Sequence, residues 1–184
     1  MNRCSWVNEN NDLYVKYHDE EWGVPIYDDN KLFELLVLES FQAGLSWECV
    51  LNKREAFRQA LDNFNPLKIS NYSEEKISTL LNNKDIIRSR RKIEAIINNA
   101  KIFLDIKKEW GSFSSYIWHF TNNKVIKNKS NEIVVKSPLS DEISLDLKKR
   151  GMKYTGSIII YSYLQAIGII DDHENSCFKF SILK

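Results

Sequence analysis

The sequence predicts an all-α fold, and three observations carry that prediction. Apolar residues recur at helical spacing through most of the chain. Residues that start and stop helices punctuate those stretches. Strand-like runs are few, chiefly Ile133-Val134-Val135 and Ile158-Ile159-Ile160. No internal repeat, coiled-coil heptad or low-complexity tract appears.

Taken in order, the first 27 residues read as loop with one short helix. Asp28-Asp29 then caps a helix over about 29–42, whose run Leu32-Phe33-Glu34-Leu35-Leu36-Val37-Leu38-Glu39 is apolar on most sides. Gly44 interrupts. A second helix follows from about Ser46 to Leu61, with Trp47, Val50, Leu51 and Phe57 at core spacing. Asn65-Pro66 restarts the chain in a short helix. Ser73 caps the next one, with Ile77, Leu80 and Leu81 on its apolar face. After the polar turn Asn82-Asn83-Lys84-Asp85, a helix is expected from Ile86-Ile87 to about Ile106. Phe113 to Phe120 gives another, within which His119 reads as a satisfied histidine rather than a ligand. Residues 121–138 read as a mobile loop. Ser140-Asp141-Glu142 caps a helix closed by Gly151. Gly156 to Gly168 has strand propensity at its triple isoleucine, but its length and bounding glycines favour a buried helix.

At 184 residues this is one domain with room for a real core. The chain is 43% hydrophobic and 28% charged, as in soluble globular proteins. No signal-like start and no membrane-spanning run is present, and the odd count of three Cys argues against a secreted disulfide framework. A cytoplasmic monomer is expected. Net charge is only +1, so any nucleic-acid contact must be local. One basic cluster exists: Lys84, Arg88, Arg90, Arg91 and Lys92, with Asp85 among them. A helix, a tight turn and a basic helix outline a phosphate-holding hairpin. A plain packing unit with a solvated basic face has the same outline.

Two constellations carry chemistry. Tyr14, Tyr17, Trp22 and Trp47 flank Glu39, which ends the apolar run. Flat rings beside one carboxylate suit a flat, electron-poor ligand such as a nucleobase. The alternative is a solvated helix end among ordinary core aromatics. The second constellation lies at the chain ends. Cys4 and His18 are near one end, and His173 and Cys177, at i, i+4 spacing, near the other. Two Cys and two His make a closed tetrahedral zinc site, although His-x-x-x-Cys also arises by chance. Cys49 reads as core.

The stretches Tyr17-His18-Asp19-Glu20-Glu21-Trp22-Gly23-Val24-Pro25 and Leu38-Glu39-Ser40-Phe41-Gln42-Ala43-Gly44-Leu45-Ser46-Trp47 resemble the signature of the 3-methyladenine DNA glycosylase I family. The similarity starts at Asn2-Arg3-Cys4. It resumes at Ile86-Ile87-Arg88, Arg91-Lys92-Ile93 and Leu147-Lys148-Lys149-Arg150-Gly151, and ends past His173. The resemblance implies a helix-hairpin-helix glycosylase-like domain over residues 1–184, with the hairpin at about 74–106. It implies a structural zinc, held by Cys4, His18, His173 and Cys177, that joins the termini 1–27 and 169–184. It also implies a monofunctional enzyme that flips 3-methyladenine out of double-stranded alkylated DNA, hydrolyses its N-glycosidic bond and releases the free base. Glu39 then reads the base, with Tyr17 as hydrogen-bonding partner, Trp47 and Trp22 as ring contacts and Tyr14 as a further candidate. The family lacks the superfamily's usual aspartate after the hairpin, and neither Glu94 nor Asp105 is expected to serve instead. Gln42-Ala43-Gly44-Leu45 is expected at the gap left by the extruded nucleotide, with Leu45 as a wedge, though Gly44 also explains a simple helix-breaking turn. Arg88, Arg91 and Lys92 are the expected phosphate contacts. The chain departs from the family pattern at Asp85, often Gly, and at the bulky Phe41. The rivals are a non-catalytic DNA-binding module with a structural zinc, which would not need Glu39, and a zinc hydrolase, which would need an open ligand position.

Overall fold

The computed structural model describes residues 1–128 and 133–181, and these are predominantly helical. The order is α1 (Asp12–Lys16), a π-helical turn (Tyr17–Glu21), α2 (Asp29–Gln42), α3 (Trp47–Leu51), α4 (Arg54–Ala60), α5 (Pro66–Ile69), α6 (Glu74–Asn82), α7 (Arg90–Trp110) and α8 (Phe113–His119). There follow β1 (Ile126–Lys127), α9 (Pro138–Lys149), α10 (Ser157–Ala166), β2 (Ile170–Asp171) and a 3-10 turn (Phe178–Ser181).

Helix α2 is the central element, with the bounds its sequence predicts. The Asp28 carboxylate accepts from the Lys31 N–H and caps it. Every residue from Leu32 to Phe41 is buried. A helix apolar on all sides needs neighbours on all sides, and α3, α7, α8 and α10 supply them. Phe33 packs on Phe103 and Phe41 on Phe57. A second, smaller apolar cluster joins the two ends of the chain: Cys4, Tyr17, Trp22, Leu51 and Cys177, with Trp6, Tyr14, Trp47 and Phe178 against it.

The structure corrects several expected bounds. The helix expected over 46–61 is broken at Asn52-Lys53, and the Lys53 ammonium reaches across to the Asp85 carbonyl. Helix α7 begins at Arg90, not at Ile86. Ile86 is buried and anchors the preceding turn, while Asp85 N–H is held by the Asn83 side chain. Asp85 therefore caps no helix. Helix α9 starts at Pro138 behind a Ser137–Ser140 capping box, its cap three residues before the expected one at Ser140. Gly156 to Gly168 does contain a helix, α10.

Part of the expected loop 121–138 is a short parallel pairing of β1 with β2, Ile126 opposite Ile170 and Lys127 opposite Asp171. Residues 129–132 of that loop, and 182–184 of the C-terminal segment, lie outside the described residues. The segment after the π-helical turn runs along the end of α10: Gly23 N–H donates to the Gln165 carbonyl and Ile26 N–H to the Ile167 carbonyl. The approach is so close that a Cβ on Gly168 would stand 2.3 Å from the Val24 backbone. This lashing brings the chain ends and α10 to one side of α2. Among the described residues no helix is long and apolar enough to cross a membrane.

Candidate functional site

The π-helical turn is where the two constellations meet. Such turns rotate successive side chains away from helical register and often mark functional positions. Here Tyr17 and His18, both buried, point into different sites.

His18 faces a cluster of potential metal ligands. Ligand atoms of Cys4, His18 and Cys177 all lie within 4.8 Å of one another. His18 Nε2 is 3.5 Å from Cys177 Sγ. That is about the separation expected of a nitrogen and a sulfur bound tetrahedrally to one zinc at ~2.0 and ~2.3 Å. The His18 ring is oriented from behind, its Nδ1 2.8 Å from Asp19 Oδ1, and Arg3 holds the same carboxylate. His173 has the same arrangement. Its Nδ1 is 2.7 Å from Asp171 Oδ1, and Asp171 is fixed by the strand pairing. With Nδ1 carrying the proton toward Asp171, Nε2 presents a lone pair. It is buried and has no hydrogen-bond partner. The ring centroids of His173 and His18 are 5.4 Å apart. His173 lies outside the tight group of three, yet its orphaned nitrogen fits a fourth ligand. The residues present thus suit a metal ion.

Tyr17 faces the other way, into a cavity of about 190 Å³ lined by Trp6, Tyr14, Tyr17, Trp22, Glu39, Gln42, Trp47, Ser162 and Gln165. All the sequence-predicted aromatics converge here. Tyr17 and Trp47 are 5.2 Å apart, and Trp6 and Trp22 4.9 Å. Trp6, Ser162 and Gln165 were not anticipated. Trp6 lies two residues after Cys4 and packs edge-on against Trp22, whereas Ser162 and Gln165 carry no local signal in the sequence.

Two buried carboxylates on α2 differ sharply. Glu34 is answered by Arg54 and Arg58 at 2.6 and 2.8 Å. Glu39 is 3% exposed, and its Oε2 has no hydrogen-bond partner. Burial pushes its carboxyl up to about 8. Trp47 Nε1 is likewise buried and unpartnered. An orphan acceptor and an orphan donor lining one aromatic cavity define a site for a flat polar ring.

A second, more apolar groove of about 610 Å³ adjoins the cavity and shares Gln42 and Ser162 with it. Ala43, Gly44, Leu45 and Ile158 line it, and Leu45 and Ile158 are exposed. Arg88 and Arg91 are exposed near the start of α7, whereas Arg90 is engaged by Glu74 and Glu94. Lys92, expected as a phosphate contact beside Arg88 and Arg91, is turned inward instead. It is buried, and its ammonium donates to the Phe41 and Ala43 carbonyls at 2.7 Å each.

An all-α fold, with an aromatic cavity closed by one unpaired carboxylate, defines a class of nucleobase-handling proteins. Residues 6–180 match the methyladenine glycosylase family, and the chain belongs to it. The chain is 43% identical to the DNA-3-methyladenine glycosylase of Haemophilus influenzae, over 95% of this chain and 96% of that one. It is 43% identical to DNA-3-methyladenine glycosylase 1 of Escherichia coli, over 96% of each. A crystal structure of a Tyr-to-Phe variant of 3-methyladenine DNA glycosylase I in complex with 3-methyladenine superposes with a TM-score of 0.92. Its identity is 35%, and 97% of each chain is covered.

Proposed function

We propose that this protein removes 3-methyladenine from alkylated double-stranded DNA by hydrolysing its N-glycosidic bond, leaving an abasic site and the free base. The observation that carries the reading is Glu39, a buried carboxylate with no cation beside it at the floor of an aromatic cavity. A 3-methylated deoxyadenosine bears a positive charge on the base, and the base departs neutral. The leaving group needs no protonation. What the site must do is recognise and hold. Tyr17, Trp22, Trp47 and Tyr14 enclose the flat cation, and Trp6 extends the enclosure. Glu39 accepts the N–H edge of the base. Burial raises its carboxyl to about 8, and a positive charge on the bound base favours the ionised form. An uncharged adenine lacks that effect, so selection for the damaged base is electrostatic as well as steric.

The metal cluster has a structural part. Zinc held by Cys4, His18, His173 and Cys177 would supply a closed tetrahedral tie between the two ends of a single domain, with no position left for water. That favours a structural metal over a zinc hydrolase. The α6–α7 hairpin serves as the phosphate contact through Arg88 and Arg91, and Gln42, Gly44 and Leu45 engage the gap left by the extruded base. Incubation with methylated DNA followed by chromatography of the released bases tests the function. Free 3-methyladenine is the expected product. Binding of the DNA without release of base would instead favour a non-catalytic module.

A further inference from the structure

Lys92 is too well buried, and too specifically bonded, to be part of a solvated basic face. It is 9% exposed, and its ammonium spans the Phe41 and Ala43 carbonyls. These belong to the end of α2, where the last turn contains no basic residue. There the chain leaves the helix at Ala43 with ψ of 112°, and Gly44 follows with φ of +80°. Carbonyls at a helix C-terminus carry partial negative charge and lack intrahelical partners. Apart from the short Leu45 N–H to Gln42 carbonyl bond, the turn has little else to fix it. A Cβ on Gly44 would meet nothing within 4 Å, and Leu45 is 42% exposed. Burial works against the Lys92 charge and lowers its pKa, so the fold keeps a cation here at a cost.

We propose that Lys92 is a positioning residue that holds the Gln42-Ala43-Gly44-Leu45 turn in the shape that engages the gap beside an extruded base. The inference rests on the proposed glycosylase reading. Lys92 lies in the first turn of α7, immediately after the exposed Arg88 and Arg91. One side chain therefore ties the basic hairpin to the turn whose Gln42 lines the base cavity and whose Leu45 lines the adjoining groove. A phosphate held at the hairpin and a nucleotide displaced by Leu45 are then kept in fixed register.

The test is Lys92→Met, which keeps the length and apolar stem and removes the ammonium. Duplex affinity, melting temperature and three further readouts are compared with wild type. Tryptophan fluorescence follows binding of free 3-methyladenine. Single-turnover excision from methylated duplex follows the reaction. A 2-aminopurine placed beside an abasic analogue follows local unstacking. Free-base binding should change far less than excision, since Lys92 holds none of Glu39, Tyr17 and Trp47 and only Gln42 of the cavity lining belongs to the turn. The single-turnover rate should fall about 10- to 100-fold, the size of a lost charge-assisted hydrogen bond, and the 2-aminopurine signal should fall with it. Duplex affinity should change little, and Lys92→Arg should recover part of the rate. A wild-type rate and unstacking signal in Lys92→Met would overturn the proposal. So would a parallel loss of free-base binding, excision and melting temperature, which marks a packing residue. Wild-type protein that releases no 3-methyladenine in the same assay would sink the glycosylase reading instead.

Discussion

The cluster of potential metal ligands and the aromatic cavity grow from consecutive residues of one π-helical turn, and both contain buried polar atoms without partners. They differ in how those atoms are backed. In the cluster each histidine is fixed by a carboxylate on its far nitrogen, Asp19 for His18 and Asp171 for His173. The orphaned His173 nitrogen and the His18 Nε2 beside Cys177 have little freedom to move. Rigid, buried donors of this kind suit a metal ion better than an exchanging ligand. In the cavity, Glu39 Oε2 and Trp47 Nε1 border open space of about 190 Å³. Glu39 has no arginine to match the pair that answers Glu34 on the same helix. That site is built to be filled and emptied. The lesson is that an unsatisfied buried atom gains meaning from what stands behind it and how much room lies in front.

The largest effect should come from the cluster of potential metal ligands. Protein purified without chelator is expected to carry one zinc per chain by elemental analysis. Cys177→Ala should lose it and melt at a markedly lower temperature, because structural zinc binding is worth on the order of 10 kcal/mol and much of that is folding free energy. Binding of free 3-methyladenine should weaken too, since Tyr17 and Trp22 share an apolar cluster with Cys4 and Cys177. Metal-free protein with an unchanged melt would remove the distinction between the two sites.

Next is Glu39→Gln, which should keep the fold and lower excision about 10- to 100-fold, the loss of one charge-assisted hydrogen bond. Wild-type rates in folded protein would rule out the base-reading role. The same variant has a pH signature. In the native state Glu39 holds its proton up to about 8, against ~4.3 in an unfolded chain. Between those values the native state binds the extra proton. Wild-type stability should therefore fall as pH rises through that window, by up to about 1.4 kcal/mol per pH unit, and level off above it. Glu39→Gln should lack this contribution, so denaturant melts of the two proteins should diverge with rising pH. Parallel curves would mean that Glu39 is ionised and solvated.

Helix α2 and its terminal carboxylate were legible in the sequence because cap, periodicity and length agree. So were the aromatics, because they cluster within one motif. What was not legible depends on the third dimension. Ile86-Ile87 looks like the start of a helix, but one member is spent anchoring a turn, so α7 starts at Arg90. Lys92 looks like one more surface charge until the carbonyls at the end of α2, about fifty residues earlier, are placed beside it. Ser162 and Gln165 reach the cavity only because the chain after Trp22 is lashed to α10. Nothing local separates Glu34 from Glu39; the arginines do.

Gly23 sits at the boundary between the two sites and can sharpen the comparison. Its φ is +75°, and a Cβ there would lie 2.6 Å from His173 Cε1. Gly23→Ala should cost about 1–2 kcal/mol from the left-handed backbone alone and push the His173 ring off its position. Zinc retention in a competition with a chelator should drop, while Glu39, on another element, stays in place. Unaltered zinc retention would argue that His173 is not a ligand.

The smallest effect is expected at Asp85, in the turn between α6 and α7. The side chain is exposed and caps no helix, since α7 begins five residues later. The turn is held through its backbone: Asp85 N–H donates to Asn83 Oδ1, and its carbonyl accepts from Lys53 Nζ. Asp85→Gly leaves both bonds in place. The stability cost is then only the added freedom of glycine in the unfolded chain, up to about 1 kcal/mol. What changes is the charge beside Arg88 and Arg91. Removing a carboxylate from a surface that meets phosphate should tighten non-specific duplex binding and steepen its salt dependence by about one unit if a phosphate contact is recovered. Binding of free 3-methyladenine should be unaffected, because the cavity lining does not include the hairpin. Titrations at two salt concentrations decide the matter. If Asp85→Gly binds duplex no more tightly at either, the turn before α7 is not where phosphate sits, and Arg88 and Arg91 are a solvated face. The cavity would then have to draw its DNA affinity from the Leu45 and Ile158 groove alone.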